Sequence, residues 1–437
     1  MKIYLISLGC AKNKVDSEVI IGNLLANDSI ELTLDMSLAD LIIINTCAFI
    51  ESAKVEALNT IFEVLDSKEE HQKVMVCGCL STRYVNEIAE LIPEVDRFVT
   101  IKEYPKLKEI VNSMFNDHPF TTEISSFNRI ITGMKESVYV KISEGCNNRC
   151  SYCAIPLIRG PFVSRKMDEI IQEVTDLVKN GAYEINLISQ DTTNYGIDLY
   201  REYAIVSLLE ELEKIEGDFK IRLLYLYPQL VSDELIDYIA SSKKVMPYFD
   251  IPLQHSETKV LKSMNRRGDK EFIINLINKI RNKIPNAVLR TTMIVGFPGE
   301  THDDFAGLIE FVKDMKFDRL GAFAYSPEED TVGATMDNQV EDELKQQRLE
   351  SLYLVQDDIA LTANERHIGS LTDVLIIDYD EESYAYIGRN YAFAPDDIDG
   401  FIFVYSREEL KIGDVVKVKI LDASINTLSG EVVFDEA

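Results

Sequence analysis

The sequence predicts an α/β protein in three parts. They are an N-terminal Rossmann-like α/β domain, a central partial (βα)6 TIM-like barrel and a small C-terminal antiparallel β-barrel. Three observations lead there. Near the N-terminus, short apolar runs alternate with segments of helical periodicity, the pattern of a parallel sheet. From residue 138 six further apolar runs recur with helical segments between them, enough for a partial barrel. From residue 371 the runs shorten and lie between Gly and Asp turns, as in a small all-β module. The chain has 437 residues, 46% of them hydrophobic, which is ample for several packed cores.

Taken in order, Lys2–Ser7 reads as a strand, followed by Gly9-Cys10 and a helix with Val15, Val19, Ile20 and Leu24 at helical spacing. Leu41–Asn45 predicts a second buried strand ending in Thr46-Cys47, and Ala53 to Leu65 a helix. Val74–Val76 begins a third strand, which ends in Cys77-Gly78-Cys79-Leu80. Cys10, Cys47 and either Cys77 or Cys79 therefore each stand where a strand gives way to a loop. In an open parallel sheet those carboxyl ends lie side by side, and ligands bind there. A lone free cysteine is usually an ordinary buried residue. Three at equivalent strand ends point instead to a shared iron–sulfur cluster with one iron left open.

Glu103 to Asn128 reads as a connector, a helix followed by a polar stretch. The barrel strands are expected at Val138–Ile142, Ile185–Ser189, Ile221–Tyr227, Tyr248–Leu253, Val288–Val295 and Gly321–Tyr325, with helices such as Met167–Lys179 and Lys270–Lys283 between them. Directly after the first strand comes KISEGCNNRCSYCAIPLIRG, with Cys146, Cys150 and Cys153 spaced C-x-x-x-C-x-x-C and Tyr152 before the last of them. Three thiolates on one short loop can hold three corners of a cubane iron–sulfur cluster. Four ligands would close the cluster as an electron carrier; three leave an iron open to a small molecule. Structural zinc sites usually pair two C-x-x-C knuckles or add His, and neither follows here. The loop also falls at the carboxyl-terminal face, where barrel chemistry belongs.

Ile294–Glu300 ends the fifth barrel strand with Gly296 and Gly299 flanking a proline, a turn that permits close backbone approach to a ligand. His255 reads as an ordinary loop histidine. Val340–Arg366 predicts a helix packing back on the barrel. The C-terminal runs Val374–Ile377, Phe401–Val404, Val415–Ile420 and Glu431–Phe434 predict its β-barrel, with domains at 1–118, 132–366 and 367–437. Residues 371–437 carry fifteen Asp and Glu against five Lys and Arg, a net of −10, so their aromatics Tyr384, Tyr386, Tyr391 and Phe393 read as core rather than base-stacking platforms.

The whole chain carries −29, which disfavours tight binding to a phosphate backbone and favours a basic partner. The N-terminal apolar run is short and followed at once by Lys12 and Lys14, unlike a signal peptide. No stretch has the length to span a bilayer, so a cytoplasmic protein without a membrane partner is expected. Seven cysteines, an odd number, argue for metal or redox work in a reducing compartment rather than a disulfide framework.

In this order along the chain, the INTC and GCL cysteines, the C-x-x-x-C-x-x-C loop and the small C-terminal barrel together resemble the methylthiotransferases of the radical S-adenosylmethionine superfamily. SLGCAKNKVDSE, GCLSTRY, ISQDTTNYG, YLYP, DIPLQH, IVGFPGET, YSPEEDT and GRNYAFAPDDIDG are similar to the RimO branch, which modifies a ribosomal protein rather than tRNA adenosine. The resemblance implies an auxiliary-cluster domain, a radical S-adenosylmethionine barrel and a TRAM domain. It implies two 4Fe-4S clusters, one on Cys10, Cys47 and Cys79, the other on Cys146, Cys150 and Cys153, with Cys77 a departure from the family pattern. It further implies S-adenosylmethionine as radical source and methyl donor, with Tyr152, Gln190, Gly296, Gly299 and Glu300 in contact with it. The implied reaction places a methylthio group on the β-carbon of an aspartate in small-subunit ribosomal protein S-twelve, with a reductant such as flavodoxin or ferredoxin and without tRNA. A tRNA adenosine methylthiotransferase is the alternative within the family, and a basic C-terminal module would favour it. A non-enzymatic iron–sulfur carrier is the alternative outside it. On the preferred reading Glu328-Glu329 and the acidic C-terminal barrel form the docking surface for the basic substrate.

Overall fold

The computed structural model describes residues 1–26, 29–115, 128–396 and 398–434, so most of the polar connector, 116–127, lies outside the described residues. The first domain is a parallel sheet of β1 (Lys2–Ser7), β2 (Glu31–Leu32), β3 (Leu41–Thr46), β4 (Lys73–Gly78) and β5 (Arg97–Val99). Its order is β2-β1-β3-β4-β5, so the direction of winding switches between β1 and β3. Both faces are covered, which is why the strands are unbroken apolar runs. Leu41, Ile43, Met75 and Cys77 pack with Ile20, Leu24, Leu107 and Val111 on one side. Ile42, Ile44, Val74 and Val76 pack with Ala57, Ile61 and Ile88 on the other. The helix expected over Ala53 to Leu65 runs Glu51–Ser67, a turn or less beyond its apolar stripe.

The central domain opens with β6 (Ser137–Lys141) and a short antiparallel pair, β7 (Ser143–Glu144) with β8 (Val163–Ser164), whose connection carries the cysteine loop. Then follow β9 (Glu184–Ile188), β10 (Lys220–Leu223), β11 (Tyr248–Asp250), β12 (Val288–Val295) and β13 (Arg319–Ala324). They form two parallel three-stranded sheets, β6-β9-β10 and β11-β12-β13, and among the described residues a single bridge, Ile221↔Val245, joins β10 to the approach of β11. The barrel is therefore partial. Its outer face buries Val138, Val140, Ile185 and Leu187 under helix residues such as Leu208, Leu209, Ile277 and Phe311. The strand expected over Ile221–Tyr227 stops at Leu223. Beyond it Tyr225 adopts φ 64°, and its N–H donates to Asp250 Oδ2 (2.9 Å) instead of continuing the ladder.

The C-terminal domain is a closed barrel of β14 (Leu371–Asp380), β15 (Ala385–Arg389), β16 (Phe401–Tyr405), β17 (Val415–Ala423) and β18 (Thr427–Val432). The sequence reading missed β15, a five-residue strand whose short apolar run is interrupted by Gly388. Four of the pairings are antiparallel; β16 and β18 close the barrel in parallel, because the β17–β18 hairpin enters beside β16 in the same sense. Phe393 is buried as expected, whereas Tyr384 is 80% exposed at the tip of the β14–β15 hairpin and is not core. No helix among the described residues is long and apolar enough to cross a membrane.

This small barrel plugs the amino-terminal end of the open one. Ala392, Phe393 and Ala394 pack with Leu224, Met246, Tyr248 and Val288, and the Arg319 guanidinium stands 4.4 Å from the Phe393 ring centroid. Beside them Glu184 pairs with Arg222 (2.8 Å) and with Arg389 of β15, all three buried. Burial pushes the Glu184 carboxyl up, but Arg389 and Arg222 outweigh it and hold it at about 2. The pairing therefore stabilises fully above the unfolded carboxyl range, near about 4, and is lost as pH falls from there towards 2. Arg222→Met strands Glu184 with one cation fewer. It should cost about 3 kcal/mol or more at pH 7 and leave less stability to lose on acidification. An unchanged urea midpoint would contradict this.

Candidate functional site

The loop after β7 is pinned on both sides. Cys146 N–H donates to Gly160 O (3.2 Å), Ser151 N–H to Met264 O (2.9 Å) and Ser151 Oγ to Ser263 O (2.7 Å). Asn148 donates to the buried Asp191 (2.8 Å), which tethers the loop to the end of β9. Burial pushes the Cys146 thiol up to about 11 and the Cys153 thiol to about 12. The sulfurs become thiolates only when a positive centre arrives to stabilise them. One fixed cation is already there. Arg266, buried, directs Nη1 at Cys150 Sγ (3.8 Å) and Tyr152 OH (3.1 Å) while Nη2 donates to Pro252 O (2.7 Å). Tyr152 packs with Phe297, Tyr325 and Met264 beside the loop.

Across from it stand the strand ends of the first domain. Cys10 follows β1 and Cys47 follows β3, on either side of the switch in strand order where open sheets bind ligands. Cys79 follows β4. Gly9 (φ 86°) has to be glycine, since a Cβ there would stand 2.7 Å from Cys47 Cβ. Asn13, fully buried, sews the three ends together: its Nδ2 donates to Leu8 O (3.1 Å) and Thr46 O (2.9 Å), and its Oδ1 accepts from Cys79 Sγ (3.5 Å). Cys77 lies on the opposite side of the sheet, fully buried with Met75, Val99 and Leu107.

Between the two cysteine groups lies a layer of buried charge. Arg159, at the end of the cysteine loop, reaches Cys79 Sγ (3.5 Å), Asn13, Asp16 (2.9 Å) and Glu144 (3.0 Å). Lys141 pairs with the same Asp16 and with Glu144 (2.7 Å). Lys12 stands 2.9 Å from the Tyr225 ring centroid, and Arg290 pairs with Asp250 (2.9 Å) and Asp399 (3.1 Å). The sequence does not single out Arg159, Arg266, Asn13 or Lys12 as site residues: each acquires its role from residues more than a hundred positions away or from another strand end.

Other expected site residues are placed unevenly. Gln190 donates to Glu144 (2.8 Å) and its Oε1 is buried without a partner. Around Gly299 the space for a Cβ is open, whereas at Gly296 the Lys345 side chain fills it (2.3 Å). The carboxylate of Glu300, expected near S-adenosylmethionine, accepts from Gly296 N–H (2.7 Å) and pairs with Arg348 (2.9 Å), so it braces the turn that carries both glycines. His255 is fully buried and accepts from Glu257 N–H (3.0 Å), a structural role. The docking role expected for Glu328 is a correction. It is 2% exposed and tied to Arg83 (3.0 Å) and Lys54 (3.3 Å) of the first domain, while Tyr84 donates to Glu329 (2.8 Å). Glu328 clamps two domains together and offers nothing to a partner, whereas Glu329 joins the clamp from an exposed position.

Among the described residues no group of three His, Cys, Asp or Glu converges tightly enough for one metal ion. A single zinc would draw three sulfurs to within about 4 Å of one another. A cubane takes each cysteine on a different iron, so its ligands stand wider apart. All seven cysteines are free thiols, and the donor set on the C-x-x-x-C-x-x-C loop, backed by the Arg266 guanidinium, fits such a cluster. A cavity of about 330 Å³ lies at the other end of the barrel, between β9, β10 and the C-terminal domain, and shares no residue with either cysteine group.

Comparison with known proteins agrees with this layout. Residues 140–312 match the radical SAM superfamily, 2–100 the uncharacterized protein family UPF0004, and 368–433 the TRAM domain. A protein of Clostridium botulinum strain Eklund 17B, ribosomal protein uS12 methylthiotransferase RimO, is 45% identical over 446 residues, covering 100% of this chain and 99% of its own length. Its namesake from Aquifex aeolicus is 47% identical over 431 residues, covering 98% and 97%. In fold the chain is similar to the radical S-adenosylmethionine methyltransferase TsrM of Kitasatospora setae, with a TM-score of 0.57 at 13% identity over 76% of this chain and 77% of that one. The cobalamin-dependent enzyme OxsB gives 0.52 at 12% identity over 81% and 56%. The first-domain sheet, the partial barrel with its cysteine loop and the closed C-terminal barrel are thus the parts of one known enzyme architecture. The chain belongs to the RimO family of radical S-adenosylmethionine methylthiotransferases.

Proposed function

We propose that this enzyme places a methylthio group on the β-carbon of an aspartate in small-subunit ribosomal protein uS12, using two four-iron clusters. One observation carries the reading: Arg159, at the end of the loop that bears Cys146, Cys150 and Cys153, reaches Cys79 at a strand end of the first domain. The names of full-length relatives support the substrate. When bound, the clusters and S-adenosylmethionine supply hydrogen removal at an unactivated carbon and the sulfur and methyl groups that replace it. The protein binds, orients and shields.

Cys146, Cys150 and Cys153 would hold the radical cluster, with Arg266 offsetting thiolate charge at Cys150. Cys10, Cys47 and Cys79 would hold the auxiliary one, with Asn13 and Arg159 fixing Cys79. Cys77 is set aside because its thiol points into the apolar core. Tyr152, the orphaned Oε1 of Gln190 and the open backbone at Gly299 would line the place of S-adenosylmethionine. A small reductant such as flavodoxin or ferredoxin would provide the electron. Asp378, Glu381, Glu382, Glu408 and Glu409 are exposed on the C-terminal barrel beside Tyr384 and Tyr405. That acidic surface favours a basic ribosomal protein over tRNA phosphate.

Two experiments test this. Reconstituted without oxygen, the protein should hold roughly eight irons per chain. Replacing Cys10, Cys47 and Cys79 together by Ala should halve that number and keep reductive cleavage of S-adenosylmethionine, while Cys77→Ser should change neither. A triple variant that retains all its iron would refute the assignment. Second, the enzyme, reductant and S-adenosylmethionine are incubated with uS12 or with unmodified tRNA and the digests examined by mass spectrometry. One methylthio group on a single aspartate is expected, and Glu381→Lys with Glu382→Lys should slow that reaction. Methylthiolated adenosine beside untouched protein would sink the substrate assignment.

A further inference from the structure

Lys12 projects from the first turn of the helix Ala11–Leu25, directly after the strand end that carries Cys10. It is 7% exposed. Its Nζ lies against the face of Tyr225, and among the described residues it has neither a hydrogen bond nor an ion pair. The cations around it are all matched. Lys141 and Arg159 share Asp16 and Glu144, and Arg290 takes Asp250 and Asp399. Lys12 alone of this group has no carboxylate within ion-pair reach; Asp250 and Glu144 act on it only at longer range.

Such a placement costs stability twice. A buried ammonium with no anion in contact forfeits its hydration, a loss that Asp250 and Glu144 offset only in part, and a cation in the first turn of a helix opposes the helix dipole. The ring it rests on is held in the left-handed region, φ 64° at Tyr225, by the N–H bond to Asp250, and backbone of that kind gathers at ligand sites. Both costs fall in the charged layer between the two cysteine groups. A carboxylate arriving with a ligand would relieve the first of them.

We propose that Lys12 binds the side-chain carboxylate of the target aspartate and so selects aspartate over asparagine at the reacting position. This rests on the reading that the substrate is a protein aspartate. The β-carbon is one bond from the carboxylate carbon, so an ammonium holding the carboxylate keeps the reacting carbon within a few ångströms of Lys12 Nζ. Lys12 is then a specificity residue, and the adjoining Cys10 puts the held carbon beside the auxiliary site. The methionyl carboxylate of S-adenosylmethionine presents the same chemistry, and Cys10 as a cluster ligand offers a third anion; the test separates all three.

Reconstituted full-length enzyme is titrated with a labelled peptide spanning the target loop of uS12, carrying either Asp or Asn at the reacting position. Wild type should bind the Asp peptide roughly ten- to a hundredfold more tightly, the span of one charge-assisted hydrogen bond. Lys12→Met should bind both peptides equally, and Lys12→Arg should restore part of the preference. Iron content and electron paramagnetic resonance spectra, taken on every variant, report folding and the clusters. If Lys12→Met keeps the full preference for Asp, the proposal is overturned. Should that variant instead bind S-adenosylmethionine tenfold more weakly, or show an altered auxiliary-cluster spectrum, with peptide preference intact, the ammonium serves one of those anions instead. A wild type that binds neither peptide overturns the substrate reading, and this proposal with it.

Discussion

Arg159 is the interaction on which the arrangement of this molecule depends. Its side chain is 1% exposed, yet it carries a full charge into the junction between the first domain and the barrel. There it meets Asp16 and Asn13 from one side and Glu144 from the other, with Cys79 Sγ at 3.5 Å. With Lys141 the group holds two cations and two carboxylates, so the layer is close to neutral as a whole. Buried pairs of this kind add little net stability over an apolar junction, but losing one partner is costly. What they provide is register. Apolar side chains would let the first domain slide on the barrel mouth, whereas matched charges and the amide of Asn13 allow one seating.

The rest of the assembly reinforces that seating from two directions. Glu328 and Glu329 reach up from the loop after β13 to Arg83 and Tyr84, at the end of the helix that begins at Cys79. From below, the C-terminal barrel fills the amino-terminal end of the open barrel with Ala392, Phe393 and Ala394, and locks through Glu184 and Arg389. The concave interior is thereby closed at its base and roofed by the cysteine-bearing strand ends. Chemistry that must exclude water gains from such an enclosure. The acidity that remains on the outside, on the β14–β15 hairpin and around Glu408-Glu409, is free to act at long range on a basic partner.

The elements readable in the sequence are those whose signal is local. Lys2–Ser7, Met167–Lys179, Lys270–Lys283 and Val288–Val295 have the same limits in the structure as in the periodicity. The strand-end position of Cys10, Cys47 and Cys79 was legible too, because it needs only a strand pattern and the residue after it. What was not legible came from pairing at a distance. Asn13 looks like any polar helix residue until Leu8, Thr46 and Cys79 surround it. Glu328 read as a surface acid because nothing near it in sequence is basic; Arg83 and Lys54 come from another domain. The pairing of Glu300 was not legible either, since its partner Arg348 lies in the helix after the barrel. Tyr225 broke a strand because Asp250, from the neighbouring strand, captured its N–H.

The central claim is that the two cysteine triads hold clusters that face each other across the Arg159 layer. Electron paramagnetic resonance of the reduced, fully reconstituted protein tests it most directly. The reference is the sum of spectra from the two single-cluster variants, one lacking Cys10, Cys47 and Cys79 and the other lacking Cys146, Cys150 and Cys153. Two paramagnets held close together split and broaden each other, so the wild-type spectrum should depart from that sum and relax faster. A wild-type spectrum that equals the sum at the same iron content would place the clusters too far apart to act on one substrate carbon, and would contradict the account.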